Sequence, residues 1–294
     1  MQSPRAWFIT GASSGLGRSM AERVLSKGDI AVATLRKPEA LDDLASQYPK
    51  DKLLILKLDV TNQTDIDSAF AKTKEAFGRI DVVFNNAGFG VAGEIEGTPV
   101  DAARGMFDVN FWGASNVSRA AVNFFRQVNG PGVGGTILQI SSVSGFAAPP
   151  CFGYYSASKH AIEGFTEGLA KELSPAWNIK ICIIEPGAFR TNVLNAAPVF
   201  PVHPAYADEP SSQAYMMRQA ISTLDFEGDA GKFARTVYEI ANGNNIPARL
   251  PMGLDAVGTL RAKGEGLIRT ADETQSWSAD LKRESGGATI LVAV

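Results

Sequence analysis

A short apolar run followed by a glycine-rich turn decides the fold of this chain. It reads Ala6-Trp7-Phe8-Ile9-Thr10-Gly11-Ala12-Ser13-Ser14-Gly15-Leu16-Gly17. The apolar run is typical of a buried strand, and helical periodicity begins at Gly15. Glycines let the backbone approach a pyrophosphate closely, and a helix N-terminus offers it free N–H groups. The segment therefore predicts a dinucleotide site, although its Gly-x-x-x-Gly-x-Gly spacing differs from the commoner Gly-x-Gly-x-x-Gly and is also compatible with a plain tight turn.

The alternation of strand and helix continues along the whole chain. Predicted strands lie near 6–10, 30–35, 53–58, 81–85, 136–141, 179–185 and 247–251, and predicted helices near 15–27, 39–47, 63–77, 101–128, 155–174, 229–242 and 254–269. This rhythm predicts an α/β, Rossmann-like, doubly wound fold, with a mostly parallel seven-stranded sheet and helices on both faces. We expect a single catalytic domain over 1–270 and a C-terminal tail over 271–294. Within the domain, 192–227 breaks the alternation and is predicted to be a lid or binding loop, called the substrate loop below.

The residue after the second predicted strand bears on which dinucleotide binds. In such sheets an acid about twenty residues beyond the glycines holds the ribose hydroxyls of NAD, whereas an arginine accepts the 2′-phosphate of NADP. Here the position holds Arg36, and no acid occurs until Glu39. A guanidinium binds a phosphate through paired hydrogen bonds. The sequence therefore favours NADP(H), and NAD(H) stays open because Arg36 is also compatible with an ordinary surface charge.

Composition excludes several other classes of protein. The 294 residues carry a formal net charge of −3 without a basic run, which argues against nucleic acid as a partner. No stretch approaches the roughly twenty apolar residues that span a bilayer. Two cysteines are too few for a disulfide framework, and the two histidines, His160 and His203, lack companions spaced as metal ligands. We expect a cytoplasmic protein without a metal, and small residues on the helix after Tyr155 leave a homodimer or homotetramer open.

Three residues near the middle of the chain form a candidate acid–base group. Ser142 is followed thirteen residues later by Tyr155, and Lys159 comes one helical turn after the tyrosine. In a helix, Tyr155 and Lys159 share one face. A nearby ammonium lowers the pKa of a tyrosine from about 10 toward neutrality, and a serine hydroxyl can hydrogen-bond a reacting oxygen. Alone, Tyr-x-x-x-Lys is a weak signal, so its weight comes from the other motifs.

Together with the glycine-rich turn, these residues occur in the order typical of the short-chain dehydrogenase/reductase family, which the chain resembles over about residues 5–255. Further motifs that resemble those of the family are Leu58-Asp59-Val60, Asn85-Asn86-Ala87-Gly88, Asn110 and Glu185-Pro186-Gly187-Ala188-Phe189-Arg190-Thr191. The resemblance is to members that convert steroids, retinol and other carbonyl compounds. It implies an NADP-dependent enzyme that acts on CH–OH or C=O groups.

The resemblance also implies roles for individual residues. Tyr155 would act as general acid in reduction and as general base in oxidation. Lys159 would lower the pKa of Tyr155 and bind the nicotinamide ribose, Ser142 would hold the substrate oxygen, and Asn110 would support a proton-relay water. The residues implied in cofactor binding are Gly11, Ser13, Ser14, Gly15, Leu16, Gly17, Arg36, Asp59, Val60, Asn86, Ala87, Gly88, Tyr155, Lys159, Pro186, Gly187 and Thr191.

The expected substrate is a small hydrophobic ketone, aldehyde or secondary alcohol. Five phenylalanines close in sequence to the motifs predict an apolar pocket, namely Phe89, Phe146, Phe152, Phe189 and Phe200. No lysine- or arginine-rich cluster lies among these segments. Two alternatives stay open: an NAD(H)-dependent alcohol dehydrogenase of the same fold, and a nucleotide-sensing protein without turnover. The same groups serve both directions of the reaction, so its direction is open as well.

Overall fold

The computed structural model describes residues 3–191, 198–221, 226–243 and 245–281. Its strands are β1 (Ala6–Thr10), β2 (Ile30–Leu35), β3 (Leu53–Lys57), β4 (Val82–Asn85), β5 (Gly135–Ile140), β6 (Ile179–Pro186), β7 (Phe189–Arg190), β8 (Gly228–Asp229) and β9 (Arg249–Met252). Seven of them form one sheet in the order β3-β2-β1-β4-β5-β6-β9, while β7 and β8 pair with each other. All pairings in the sheet are parallel. The predicted Rossmann-like sheet is confirmed.

Helices alternate with these strands. The described helices are α1 (Gly15–Ser26), α2 (Asp42–Ala45), α3 (Gln63–Phe77), α4 (Val100–Phe107), α5 (Ala114–Gln127), α6 (Gly153–Glu172), α7 (Pro204–Ala207), α8 (Gln213–Ile221), α9 (Ala230–Ala241) and α10 (Leu254–Thr274). The single helix expected over 101–128 is instead divided by a π-helical turn at Asp108–Gly113. Gly113 lies in this turn so close to Val60 that an added Cβ would be 2.7 Å from Val60 Cγ2.

The two faces of the sheet bury separate apolar clusters. Trp7 and Ile9 point to one face, where side chains of α1 and α9 cover them. Phe8, the residue between them, points to the other face and packs with side chains of α3 and α5. Alternation along a strand explains this division, because successive side chains point to opposite faces. Helices therefore cover both faces, as the continuous apolar runs of the strands predicted.

The strand order reverses at β1 and β4, and ligands of such folds bind beside that reversal, at the carboxyl ends of the strands. Gly11 directly follows β1, and Arg36 directly follows β2. Asp59, Asn86 and Ser142 come within two residues of the ends of β3, β4 and β5. The topology thus brings five separate motifs to one edge of the sheet.

Two expected segments extend past the described residues. Of the substrate loop predicted over 192–227, residues 192–197 and 222–225 lie outside the described ranges. The described part forms α7 and α8 and one parallel bridge, Ala92 to Val199. Of the tail predicted over 271–294, residues 282–294 lie outside them, and α10 continues through Thr274. The boundary between domain and tail therefore stays a prediction.

Phe8→Ala should destabilise the protein strongly. Phe8 is fully buried, and its ring stacks on Phe70 at 4.4 Å between centroids. Removing a buried phenylalanine leaves a cavity and typically costs about 3–5 kcal/mol. Urea unfolding should show this loss for Phe8→Ala, and almost none for Trp277→Ala, because Trp277 is 81% exposed. A cost below about 1 kcal/mol for Phe8→Ala would contradict the packing described for β1.

Candidate active site

The glycine-rich turn after β1 is built for close approach. Gly11 and Gly15 have positive φ angles of 66° and 56°, which favour glycine. A Cβ at Gly17 would lie 2.2 Å from the Gly11 carbonyl oxygen, so no side chain fits there. Ser14 precedes α1 in an extended conformation and makes no side-chain capping bond to any described residue. The first N–H groups of α1 thus remain available, and the turn fits a dinucleotide pyrophosphate.

A threonine and an asparagine hold the turn against the end of β4. Thr10 Oγ1 accepts hydrogen bonds from the backbone N–H groups of Asn86 and Ala87, both at 2.9 Å. Asn86 Nδ2 donates in return to the Thr10 carbonyl oxygen at 3.0 Å. On the other side of the turn, a Cβ at Gly15 would lie 3.3 Å from Thr191 Cβ. The motifs after β1, β4 and β6 are therefore in direct proximity.

The ends of β2 and β3 present opposite charges. Arg36 is exposed and makes no hydrogen bond within the described part of the chain. Asp59 accepts hydrogen bonds from the Thr61 backbone N–H at 3.0 Å and from the Thr61 hydroxyl at 2.7 Å. These bonds hold the pKa of Asp59 below its ordinary value, and the charge of Arg36 contributes. Among the described residues, the guanidinium of Arg36 has no hydrogen-bond acceptor, so it is available to a ligand bound beside the turn.

Ser142, Tyr155 and Lys159 meet where β5 ends. Ser142 follows β5 and is 9% exposed, and its Oγ accepts the Ser144 N–H at 3.1 Å. Tyr155 and Lys159 lie one turn apart on α6, with the Lys159 ammonium 5.8 Å from the centre of the tyrosine ring. Lys159 Nζ donates to the carbonyl oxygen of Ile140 at 3.1 Å, which fixes it against the end of β5. The structure therefore brings the three predicted residues together.

Burial shifts both ionisable groups of this site toward their neutral forms. It raises the pKa of Tyr155, and an interaction with Ser142 opposes the rise. It lowers the pKa of Lys159 to about 8, against the opposing charge of Glu163. For Tyr155 this direction is opposite to the one predicted from the spacing alone, because loss of solvent is its largest cause.

The π-helical turn places Asn110 behind the site. Its amide Nδ2 donates to the Phe89 carbonyl oxygen at 2.8 Å and to the Ser158 hydroxyl at 3.1 Å. Its Oδ1 accepts the Phe89 N–H at 3.0 Å. A Cβ at Gly88 would lie 3.0 Å from Asn110 Oδ1 and 3.6 Å from Lys159 Nζ. Asn110 thus holds the loop after β4 next to the lysine. Single π-helical turns are frequent at functional sites.

The loop after β4 lies beside Tyr155 and carries exposed apolar side chains. A Cβ at Gly90 would lie 3.4 Å from Tyr155 Cδ2, so the loop after β4 packs against the ring. Ile95 in this loop is 61% exposed and contacts α6 at Gly153. Val199 pairs with the same loop and is also exposed.

An ion pair fixes this apolar region. Arg218 of α8 pairs with the buried Glu94 and donates to the Phe200 carbonyl oxygen at 2.8 Å. The hydrogen bonds that Arg218 donates to Glu94 lower the pKa of Glu94 to about 2. The pair could not be predicted from sequence, because 124 residues separate its members.

The five phenylalanines expected around the pocket have different surroundings. Phe200 lies beside Gly93, in the loop that packs against Tyr155. Phe189 instead packs against Phe233 in the core, with ring centres 5.1 Å apart. Phe146 is buried, whereas Phe89 and Phe152 are partly exposed. The sequence cannot separate these cases, since buried and pocket-lining phenylalanines follow the same motifs.

A cluster of buried charges lies behind Lys159 and was not predicted. Arg249 of β9 pairs with Glu163 of α6, with Glu185 of β6 and with the exposed Glu167. Burial and the Glu163 carboxylate raise the pKa of Glu185 to about 7, against the opposing effect of Arg249. Its Oε2 has no hydrogen-bond partner within the described ranges. The only sequence signal was Glu163, four residues after Lys159 and hence on the same helix face.

In the part of the chain that the structure describes, no helix is both long and apolar enough to cross a membrane. Across those same residues, no three histidine, cysteine, aspartate or glutamate side chains are grouped so that they could hold a metal ion.

The parallel sheet, the open glycine-rich turn and the tyrosine–lysine pair define a nucleotide-binding oxidoreductase of the Rossmann type. Residues 5–198 match the family described as short chain dehydrogenase. An uncharacterized oxidoreductase of Schizosaccharomyces pombe is 34% identical over 282 residues, which cover 94% of this chain and 91% of that protein. The chain belongs to the short-chain dehydrogenase family.

Solved structures agree with this assignment. A short-chain dehydrogenase from Streptomyces avermitilis has a TM-score of 0.84 and 36% sequence identity, over 95% of this chain and 98% of that one. Two enzymes at 23% identity share the fold. The Burkholderia cenocepacia enzyme is in complex with NADP, with a TM-score of 0.69 over 96% of this chain and 100% of its own. The Burkholderia phymatum enzyme is in complex with NAD, with a TM-score of 0.71 over 98% and 99%.

Glu185→Gln should change how stability depends on pH. Because the folded-state pKa of Glu185, about 7, exceeds the ordinary value of 4.5, its protonation stabilises the folded protein at low pH. This contribution is lost as pH rises through about 7. Relative to Glu185→Gln, the wild type should lose about 2 kcal/mol of unfolding free energy between pH 5 and pH 8. Urea unfolding of both proteins at the two pH values measures the difference, and an unchanged difference would contradict the raised pKa.

Proposed function

We propose that the protein is an NADP(H)-dependent oxidoreductase that interconverts a hydrophobic ketone or aldehyde and the corresponding alcohol. The observation that carries this proposal is the meeting of Ser142, Tyr155 and Lys159 at the end of β5. The same edge of the sheet carries the open turn at Gly11–Gly17, which fits a dinucleotide. A phenol, an ammonium and a hydroxyl on one side of such a turn suit proton exchange at a carbonyl or alcohol oxygen.

The residues of the chain divide the work in the proposed reaction. Tyr155 gives a proton to the substrate oxygen in reduction and takes it back in oxidation. Ser142 donates a hydrogen bond to that oxygen and orients it, and the Lys159 ammonium stabilises negative charge that develops on Tyr155. The bound nicotinamide supplies or accepts the hydride. Lys159 also binds its ribose in the proposed arrangement, with Pro186, Gly187 and Thr191 beside the nicotinamide.

Asn110 serves this site by holding backbone. Both protons of its amide are donated to protein groups, Phe89 O and Ser158 Oγ. The side chain therefore positions the loop after β4, whose Gly88 is next to Lys159. In this proposal, the proton-relay water suggested by family resemblance is not held by the Nδ2 group of Asn110.

The preference for NADP(H) rests on Arg36. Its guanidinium lies at the carboxyl end of β2, is exposed, and is not engaged by other described residues in a hydrogen bond. A carboxylate at this place would bind the ribose hydroxyls of NAD, whereas a free guanidinium suits the 2′-phosphate. The relatives of known structure include an NADP and an NAD complex, so the family alone does not decide between them.

The hydrophobic substrate is supported by the surface next to Tyr155. Ile95 is 61% exposed in the loop that packs against the tyrosine, and Val199, which is 54% exposed, belongs to a segment that pairs with that loop. Among the described residues there, Arg218 is already neutralised by its ion pair with Glu94, so it does not offer a positive charge to a polyanionic substrate. An apolar carbonyl compound would cover these side chains and remove them from water.

Two other functions can be distinguished experimentally. An NAD(H)-dependent alcohol dehydrogenase would use the same site with the other cofactor. A nucleotide sensor would bind dinucleotide without turnover, but the placement of the Tyr155 hydroxyl beside Ser142 has no use in binding alone. The cytoplasmic location and the oligomeric state stay predictions.

Tyr155→Phe should abolish turnover and keep cofactor binding. The change removes only the hydroxyl, so the ring still packs against Gly90. General acid–base catalysis contributes about 10²–10⁴-fold, and kcat should fall by that factor. Loss of NADPH absorbance with a panel of apolar aldehydes and ketones measures turnover, and fluorescence titration measures binding. Tyr154→Phe is the matched control on the same helix. Unchanged turnover in Tyr155→Phe would refute the acid–base assignment.

Arg36→Ala should weaken NADPH binding selectively. Hydrogen bonds to a charged group are worth about 1.5–3 kcal/mol, so the Kd for NADPH should rise by roughly 10–100-fold. The Kd for NADH should change little, because NADH lacks the 2′-phosphate. Fluorescence titration of both cofactors gives the comparison, with the exposed Arg261→Ala as control. Tighter binding of NADH by the wild type would instead favour the NAD-dependent alternative.

A further inference from the structure

Glu163 contacts the surroundings of two proposed catalytic residues at once. It lies on α6, one turn after Lys159, and is 4% exposed. Its Oε1 accepts a hydrogen bond from the hydroxyl of Ser141 at 2.5 Å. Ser141 directly precedes Ser142 at the end of β5. One carboxylate therefore joins the serine turn of β5 to the lysine helix.

This carboxylate has very little freedom to move. Its Oε2 pairs with Arg249, which reaches it from β9. On the Oε1 side, the backbone approaches so closely that a Cβ at Gly145 would lie 1.8 Å from the oxygen. The ion pair comes from β9, and the hydrogen bond and the steric contact come from the turn after β5. Together they fix the position of the Glu163 carboxylate, unlike that of a surface glutamate.

We propose that Glu163 is a positioning residue: its carboxylate, fixed by Arg249, holds the Ser141–Ser142 turn in its working arrangement and places a negative charge one helical turn from the Lys159 ammonium. This inference rests on the proposed function of Lys159. It means that β9 and β6 support the site from a distance, because Arg249 of β9 pairs with Glu185 of β6 and with Glu163 of α6.

The groups around Lys159 make Glu163 its main source of negative charge. From α6 the ammonium faces Glu163 and the ring of Tyr155, and from β5 it faces the Ile140 carbonyl oxygen. From the loop after β4 it faces Gly88, beside which lies Asn110 of the π-helical turn. Among these groups only Glu163 carries a full negative charge. Burial lowers the pKa of Lys159 to about 8, and Glu163 opposes this fall.

Charged and polar groups from three other elements and from α6 itself surround Glu163. Arg249 faces it from β9, Glu185 from β6, Ser141 from β5, and Lys159 and Glu167 from its own helix. Of the two buried acids that share Arg249, Glu185 has its pKa raised to about 7. Arg249 pairs with the carboxylates of both Glu163 and Glu185, and so links β9 and β6 to α6.

The first test follows Lys159 in the cofactor-free protein. NMR of protein labelled with ¹³C-lysine gives the titration of the Lys159 side chain, with Lys159→Met assigning its signal. In Glu163→Gln the midpoint should fall by about one pH unit, because the opposite charge is gone while an acceptor for Ser141 remains. Glu167→Gln, which removes an exposed partner of the same arginine, should leave the midpoint unchanged. An unchanged midpoint in Glu163→Gln would overturn the proposal.

The second test uses the pH dependence of kcat/KM for NADPH, which reports ionisations of the free enzyme. The basic limb should move to lower pH in Glu163→Gln, with a loss of roughly fivefold at pH 8. Ser141→Ala removes the hydrogen bond but no charge, so it should lower kcat without moving the limb. A uniform loss in Glu163→Gln at every pH would show a structural role only and would overturn the proposed charge effect.

Two provisions keep the outcomes separable. If Glu163→Gln does not fold, the double variant Glu163→Gln/Arg249→Gln removes the paired charges together, and its Lys159 midpoint should also fall, but by less, because the opposing Arg249 charge is lost as well. If the Lys159 midpoint shifts but no apolar carbonyl compound is converted by the wild type, the proposed function fails and the electrostatic link stands. If the wild type is active and the midpoint is unmoved, the link fails and the proposed function stands.

Discussion

The buried ammonium of Lys159 is the constraint on which the site depends. Placing a charge 5% exposed to solvent costs free energy, which appears as the lowered pKa of the lysine. The surrounding chain offsets this cost with oriented groups: the Ile140 carbonyl oxygen accepts its hydrogen bond, and Glu163 provides an opposite charge. The Glu163 carboxylate is itself paired with Arg249, and Arg249 also pairs with Glu185. The contacts that begin at the lysine therefore connect α6 with three strands, β5, β9 and β6.

A second constraint is the approach of backbone to backbone around the cofactor turn. Gly17 and Gly11 are too close for any side chain, and Thr10 uses one hydroxyl to hold two N–H groups from the loop after β4. That loop continues to Gly88 and Gly90, which border Lys159 and Tyr155. The proposed binding and catalytic halves are therefore parts of one hydrogen-bonded unit. A displacement at the turn would reach the tyrosine through only a few residues.

Local patterns in the sequence predict the fold well because each local signal is repeated. Apolar runs mark the seven strands, and parallel topology then carries Gly11, Asn86 and Ser142 to one edge without further information. The π-turn at Asp108–Gly113 escapes prediction, since it changes hydrogen bonding without changing composition. The partners Glu94–Arg218 and Glu163–Arg249 escape it because they join distant segments. Spacing alone also leaves out the burial that raises the pKa of Tyr155, because burial is a property of the packed structure.

The two shifts at Tyr155 and Lys159 have one cause and different consequences. Burial favours the neutral form of each group, so the tyrosine keeps its proton near neutral pH and is ready to donate it. This suits carbonyl reduction, in which the substrate oxygen gains a proton. The lysine, by contrast, is close to losing its charge, and small changes in the surrounding field alter its ionisation. Glu163, one helical turn away, is then more than a structural support. Its negative charge favours the ionised form of Lys159, and only that form can stabilise a developing phenolate.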